Sequence, residues 1–140
     1  MRLAVLTAAG VLAAAASASA AGTNVRVSPE SGGVEKTFMV GFTAPWKAQV
    51  TPYGYSTYTV EALRPAGDGC TRSASAKVYS APRGARVRVR LRPEGANWCR
   101  GRFSGKVVLS DGPICPPPRM YCSARPSSVR TIGRFSFIVR

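Results

Sequence analysis

The sequence contains no histidine. That removes the commonest general base, the commonest metal ligand and the side chain that titrates near neutral pH. Carboxylates are scarce as well, the six being Glu30, Glu35, Glu61, Asp68, Glu94 and Asp111. Most fall in or beside turn-like stretches such as PAGDGC, RPEG and SDGP, where acidic residues commonly serve turns. A glycosidase would need two of them facing each other across a cleft. Serine has no histidine to activate it, and cysteines paired in bridges offer no thiolate. A non-enzymatic protein is expected. Cys70, Cys99, Cys115 and Cys122 show no CxxC spacing, so neither a metal centre nor a cofactor is expected. Beyond residue 20 there is no amphipathic helical pattern either.

What is present begins with a leader. Arg2 is a minimal positive end, an apolar or small run covers 3–16, and Ala18-Ser19-Ala20 offers the small residues that signal peptidase reads. Residues 1–20 are therefore expected to form a signal-peptide helix cleaved after Ala20. The rival is an uncleaved anchor, but alanine is only weakly apolar. The remaining 21–140 suits one domain, secreted or held in the cell envelope, with no membrane span of its own. An even number of cysteines in an oxidising compartment points to two disulfides, with three connectivities open.

The chain carries 20 Lys and Arg against 6 Asp and Glu, a formal charge of +14. Such an excess attracts anionic partners and says nothing about fold. A GC-rich genome would also encode much of this arginine.

Seven alternating runs, separated by Gly, Pro and Ser clusters, read as strands at 24–28, 36–43, 55–63, 74–80, 85–92, 99–110 and 132–140. The clearest is 85–92, where Val87, Val89 and Leu91 alternate with Arg86, Arg88, Arg90 and Arg92. A strand sends successive side chains to opposite faces, giving one aliphatic and one cationic face. Seven half-buried strands hide their apolar faces most simply in two packed antiparallel sheets. Gly101 and Gly105 fall on the inner side, where they would admit a bulky neighbour from the opposite sheet. Trp98 and Cys99 are adjacent, so in a strand only one of them enters the core.

The stretches VRVSPESGGVEKTFMVGFTAPW, WCRGRFSGKVVLSDG and GRFSFIVR resemble secreted immunoglobulin-like or fibronectin-III-like β-sandwich domains of actinobacterial type. In architecture the chain is also similar to the neocarzinostatin group of small carriers, which have seven strands and two disulfides. Members of that group are acidic, whereas this chain is basic. The resemblance implies an all-β, seven-stranded antiparallel immunoglobulin-like sandwich over 21–140. In that arrangement Cys70, after the third strand, and Cys99, opening the sixth, lie on neighbours, implying Cys70–Cys99 and Cys115–Cys122.

Two candidate surfaces follow. The first is a basic face of Arg26, Arg86, Arg88, Arg90 and Arg92, which reads more simply as a plain solvated face of a half-buried strand. Arg100, Arg102, Lys106, Arg134 and Arg140 are expected to point outward on the other sheet, and no aromatics interleave to favour sequence-specific nucleic-acid binding. The second is a loop edge. The segment 111–131 holds CPPPRMYC, and a short bridge with three prolines would display Arg119, Met120 and Tyr121. In the implied sandwich, Trp46 and Tyr53 emerge at the same end. The expected function is an extracellular binding or accessory module contacting an anionic polymer, a cell surface or another secreted protein. The alternatives are an electrostatically retained envelope protein and a small-molecule carrier.

Overall fold

A computed structural model describes residues 24–115 and 125–140. The expected leader, together with Arg119, Met120, Tyr121 and Cys122, lies outside the described residues. Nine strands run in chain order and no helix occurs among the described residues. They are β1 (Arg26–Ser28), β2 (Ser31–Gly32), β3 (Phe38–Thr43), β4 (Gln49–Val50), β5 (Gly54–Leu63), β6 (Ser73–Val78), β7 (Arg86–Leu91), β8 (Gly101–Pro113) and β9 (Ser128–Val139).

The strands form two sheets. One is three-stranded and antiparallel, in the order β1-β3-β7. The other is six-stranded, in the order β2-β9-β8-β5-β4, with β6 pairing the far part of β5. Seven strands overlap the seven alternating runs of the sequence. The other two, β2 and β4, are two residues long and are held by backbone pairing, so no alternation marks them. Moreover β2 runs parallel to β9, so the expected purely antiparallel pairing does not hold throughout.

The alternation of each strand decides which face is buried. Phe38, Val40 and Phe42 of β3 are buried, as are Tyr58, Val60 and Ala62 of β5 and Phe103, Val107 and Leu109 of β8. The sheets meet through these faces. Phe38 stacks on Phe137 at a centroid separation of 4.0 Å, and Phe42 meets Tyr58 edge-on at 5.1 Å. Each such fully buried side chain contributes about 1.5–3 kcal/mol relative to exposure.

Trp98 and Cys99 are both buried, at 1% and 3% exposure, against the expectation that only one could be. The reason is that they precede β8 rather than belong to it. Trp98 joins Thr71 in an isolated parallel bridge, and Cys99 N–H donates to the Thr71 carbonyl. Without a regular pleat, neighbours are not forced to opposite faces. The Trp98 indole N–H donates to the Lys36 carbonyl at 2.7 Å, and its ring sits edge-on to Phe103 and Phe137.

The glycines of β8 also differ from expectation. The ring of Phe135 occupies the place of a Gly105 side chain, and Phe135 is the β9 residue paired with Gly105 in the same sheet. At Gly101, where φ is +124°, the Arg64 guanidinium takes the equivalent space. Both glycines therefore admit a neighbour, but neither neighbour comes from the opposite sheet.

Cys70 and Cys99 are bridged, with their Cα atoms 4.9 Å apart. The bridge ties the turn after β5 to the segment entering β8, two strands that pair along their length. Gly67 packs directly on it with φ at +140°, where a side chain would meet the Cys99 sulfur. The second expected bridge, Cys115–Cys122, involves a residue outside the described ones.

Candidate functional site

Strand β7 carries out the separation its sequence encodes. Arg86, Arg88 and Arg90 are exposed, while Val89 and Leu91 are buried and Val87 half-buried. Arg92, just past the strand, is exposed too. Register extends this face across the whole three-stranded sheet. Arg26 of β1 pairs with Gly41 of β3, and Gly41 pairs with Arg88 of β7. Residues directly opposite in a ladder share a face, so Arg26, Gly41 and Arg88 form one transverse row. Thr43 pairs with Arg86 in the next row, and Met39 lies between Ser28 and Arg90 in the row on the other side.

Strands lie about 4.8 Å apart, so the Arg26 and Arg88 backbones stand about 10 Å apart with only a glycine between them. A groove of about 440 Å³ runs over this point, lined by Asn24, Arg26, Gly41, Thr43, Arg86 and Arg88 among others. None of Arg26, Arg86, Arg88 and Arg90 makes an ion pair with a carboxylate among the described residues. Glu30 lies toward the other side of β1, where it lines a separate groove with Arg26 and Phe135.

The outer face of the six-stranded sheet is cationic too, but it carries carboxylates among its basic side chains. Arg100, Arg102, Arg134 and Arg140 are exposed, but Lys106 pairs with Glu61 at 3.0 Å. A groove of about 720 Å³ there brings Glu61, Glu94, Lys106 and Arg134 together. Its two carboxylates are differently placed. Glu61 is bound to a lysine, while Glu94 lies on an exposed turn whose carbonyl accepts from the Thr71 hydroxyl. Asp111 accepts from the Ser128 hydroxyl at 2.9 Å and so fastens the start of β9 to the end of β8.

The aromatic edge is partly assembled by the described residues. Trp46 is 44% exposed, and the Arg130 guanidinium lies over its ring, 4.9 Å from the centroid. The buried Tyr58 phenol donates to the Trp46 carbonyl at 2.6 Å and accepts its N–H at 3.1 Å. Burial raises the Tyr58 pKa above the ordinary 10.0, with the nearby Asp111 charge acting the same way and the hydrogen bond to Trp46 opposing both. Trp46 thus covers the end of the core, and one side of its ring is already taken by Arg130.

Tyr53 is different. It is 86% exposed at the tip of the β4–β5 turn. The Thr51 hydroxyl accepts from the Tyr53 and Gly54 N–H groups and donates to the Gly54 carbonyl, which fixes the turn. Its carbonyl accepts from Ile114 N–H at 3.1 Å, so the segment leaving β8 starts beside it. Arg119, Met120 and Tyr121 lie further along that segment, outside the described residues.

Two participants escaped the sequence reading. Gly41 bears no side chain to notice, although counting alternation outward from Phe42 does place it on the outer face. Arg130 pairs with Leu109 and so lies on the Leu109 side of the sheet, though exposed, because an irregularity opposite Val107/Val108 shifts the parity of β9. Compared with known proteins, the chain matches no family model, no curated protein and no solved structure.

Proposed function

We propose that the chain is an exported, non-enzymatic binding module of immunoglobulin-like or fibronectin-III-like architecture that engages an anionic polymer or cell-envelope surface. The observation that carries this reading is the outer face of the three-stranded sheet. Arginines from both of its edge strands stand there unpaired with any carboxylate among the described residues. Side chains without internal partners remain available for counterion-release binding to a polyanion. The sheet orders β1-β3-β7 and β2-β9-β8-β5 support the architecture, since they follow the A-B-E and A′-G-F-C sequence of such sandwiches. The Cys70–Cys99 bridge fits an oxidising compartment. Retention on immobilised teichoic acid or heparin tests the reading. It should be firm at low ionic strength and collapse as salt rises, and passage through both resins at low salt would refute it.

A second reading concerns the loop edge and a secreted protein partner. Tyr53 favours it, because an aromatic on a hydrogen-bonded turn can be buried at low entropic cost. Met120, Tyr121 and Arg119 would extend that surface, stiffened by the Cys115–Cys122 bridge.

A further inference from the structure

The anionic partner proposed above leaves open whether the basic face is a diffuse cloud of charge or contains a shaped site. The row Arg26–Gly41–Arg88 decides between them. On a continuous strand surface, the residue between two arginines would project its own side chain and hold a ligand away from the backbone. Here that position is a glycine, and the groove descends to the β3 main chain.

The glycine is not demanded by the fold. A Cβ at Gly41 would meet only the Val87 carbonyl oxygen, at 3.8 Å, an ordinary contact, and its backbone is not in the left-handed region. Glycine in a strand interior weakens the strand, and β-branched residues suit such a position better. Local stability therefore gives no reason for its presence, whereas access to the groove does.

We propose that the notch over Gly41 is an oxyanion seat, holding one phosphate group of an extended, base-free polyol phosphate polymer between Arg26 and Arg88. The proposal rests on the polyanion-binding reading and specifies its site. Guanidinium groups present paired donors that match phosphate oxygens, and the register sets one arginine on each side of the seat. Asn24 and Thr43 add polar atoms at one end of the groove. Along β7, successive arginines recur every 6.6–6.8 Å or so, about the pitch of charges on an extended chain with a short saturated bridge between phosphates.

Other occupants fit less well. Single-stranded nucleic acid usually stacks on exposed aromatics, and the outward residues here are arginine, serine, methionine, glycine and threonine. A second copy pairing along the free edge of β7 would set arginines against arginines, and like charges directly opposite are destabilising.

The test uses poly(glycerol phosphate), heparin and single-stranded DNA of matched charge, followed by calorimetry and by the Gly41 amide resonance. The wild type should bind poly(glycerol phosphate) with a shift at Gly41. Gly41→Val fills the notch without changing charge. It should keep or raise the melting temperature and keep the salt-sensitive retention on heparin resin, yet lose about tenfold in affinity for poly(glycerol phosphate), roughly the loss of one good hydrogen-bonded contact. Gly41→Ala, sterically milder, should lie between. Arg88→Gln should lose at least as much, and Arg134→Gln on the other sheet much less. Should Gly41→Val bind poly(glycerol phosphate) like wild type, the notch is no site even though polyanion binding stands. A stronger Gly41 shift with heparin or DNA than with poly(glycerol phosphate) would overturn the assigned occupant. If the wild type binds none of the three, the broader reading falls instead.

Discussion

The hydroxyl of Tyr58 holds both backbone polar groups of Trp46, accepting the N–H and donating to the carbonyl. One phenol, 0% exposed, thereby fixes the chain where it leaves β3 and closes the end of the core beneath the Trp46 ring. Tyr58→Phe leaves the ring packed on Phe42 but strands those two backbone groups. It should cost about 0.5–1.5 kcal/mol in urea unfolding for each of the two hydrogen bonds lost.

The same residue sets an alkaline limit. Its pKa is raised in the folded protein, chiefly by burial, so the folded state binds its proton more tightly than the unfolded chain does. Stability from this source is fully present below the ordinary phenol pKa of 10.0 and is lost as pH rises through and above it. Unfolding midpoints should fall above pH 10 in the wild type and fall less steeply in Tyr58→Phe. Parallel profiles for the two proteins would contradict the assignment.

Gly105 and Phe135 form a matched pair within one sheet, the ring lying over the bare backbone. Gly105→Ala has nowhere to put its methyl group unless Phe135 moves, and overpacking of this kind costs about 1–3 kcal/mol. Combining it with Phe135→Leu should recover part of the loss. A double-mutant cycle measures the coupling, and strict additivity would show that the two do not compete for space.

The Cys70–Cys99 bridge closes a separation of 29 residues. Replacing both cysteines by alanine should lower stability by about 2–5 kcal/mol, because the crosslink restricts the unfolded chain. Peptide mapping without reduction should recover Cys70 linked to Cys99, and Cys115 linked to Cys122. A Cys70–Cys115 peptide would refute both pairings.

Strands whose side chains alternate without interruption were legible from the residues alone. Arg86 to Leu91 separates cation from aliphatic at every step, and Phe38, Val40 and Phe42 fall on one face as counted. Reading failed where the pleat is interrupted. Trp98 and Cys99 precede a strand and escape its parity, and the irregular register in β9 sets the exposed Arg130 over Trp46 on the Leu109 side of the sheet. The two-residue strands β2 and β4 are made by main-chain pairing, which no side-chain pattern reports. On the candidate site, the arginines were visible but the space between them was not. A glycine contributes nothing to a charge pattern, and only the register of three strands sets Gly41 between Arg26 and Arg88.

The central claim is that polyanion binding is focused on the three-stranded sheet rather than spread over the whole basic surface. Two double variants of equal net charge test it most directly, Arg26→Gln/Arg88→Gln on that face and Arg102→Gln/Arg134→Gln on the other sheet. Affinity for poly(glycerol phosphate) is measured for both across a range of salt concentrations. The first pair should bind several-fold more weakly than the second, with a shallower dependence of log K on log salt because fewer counterions are displaced. Equal losses in affinity and slope would contradict the account, since they would mean that the polymer responds to total charge and not to this face.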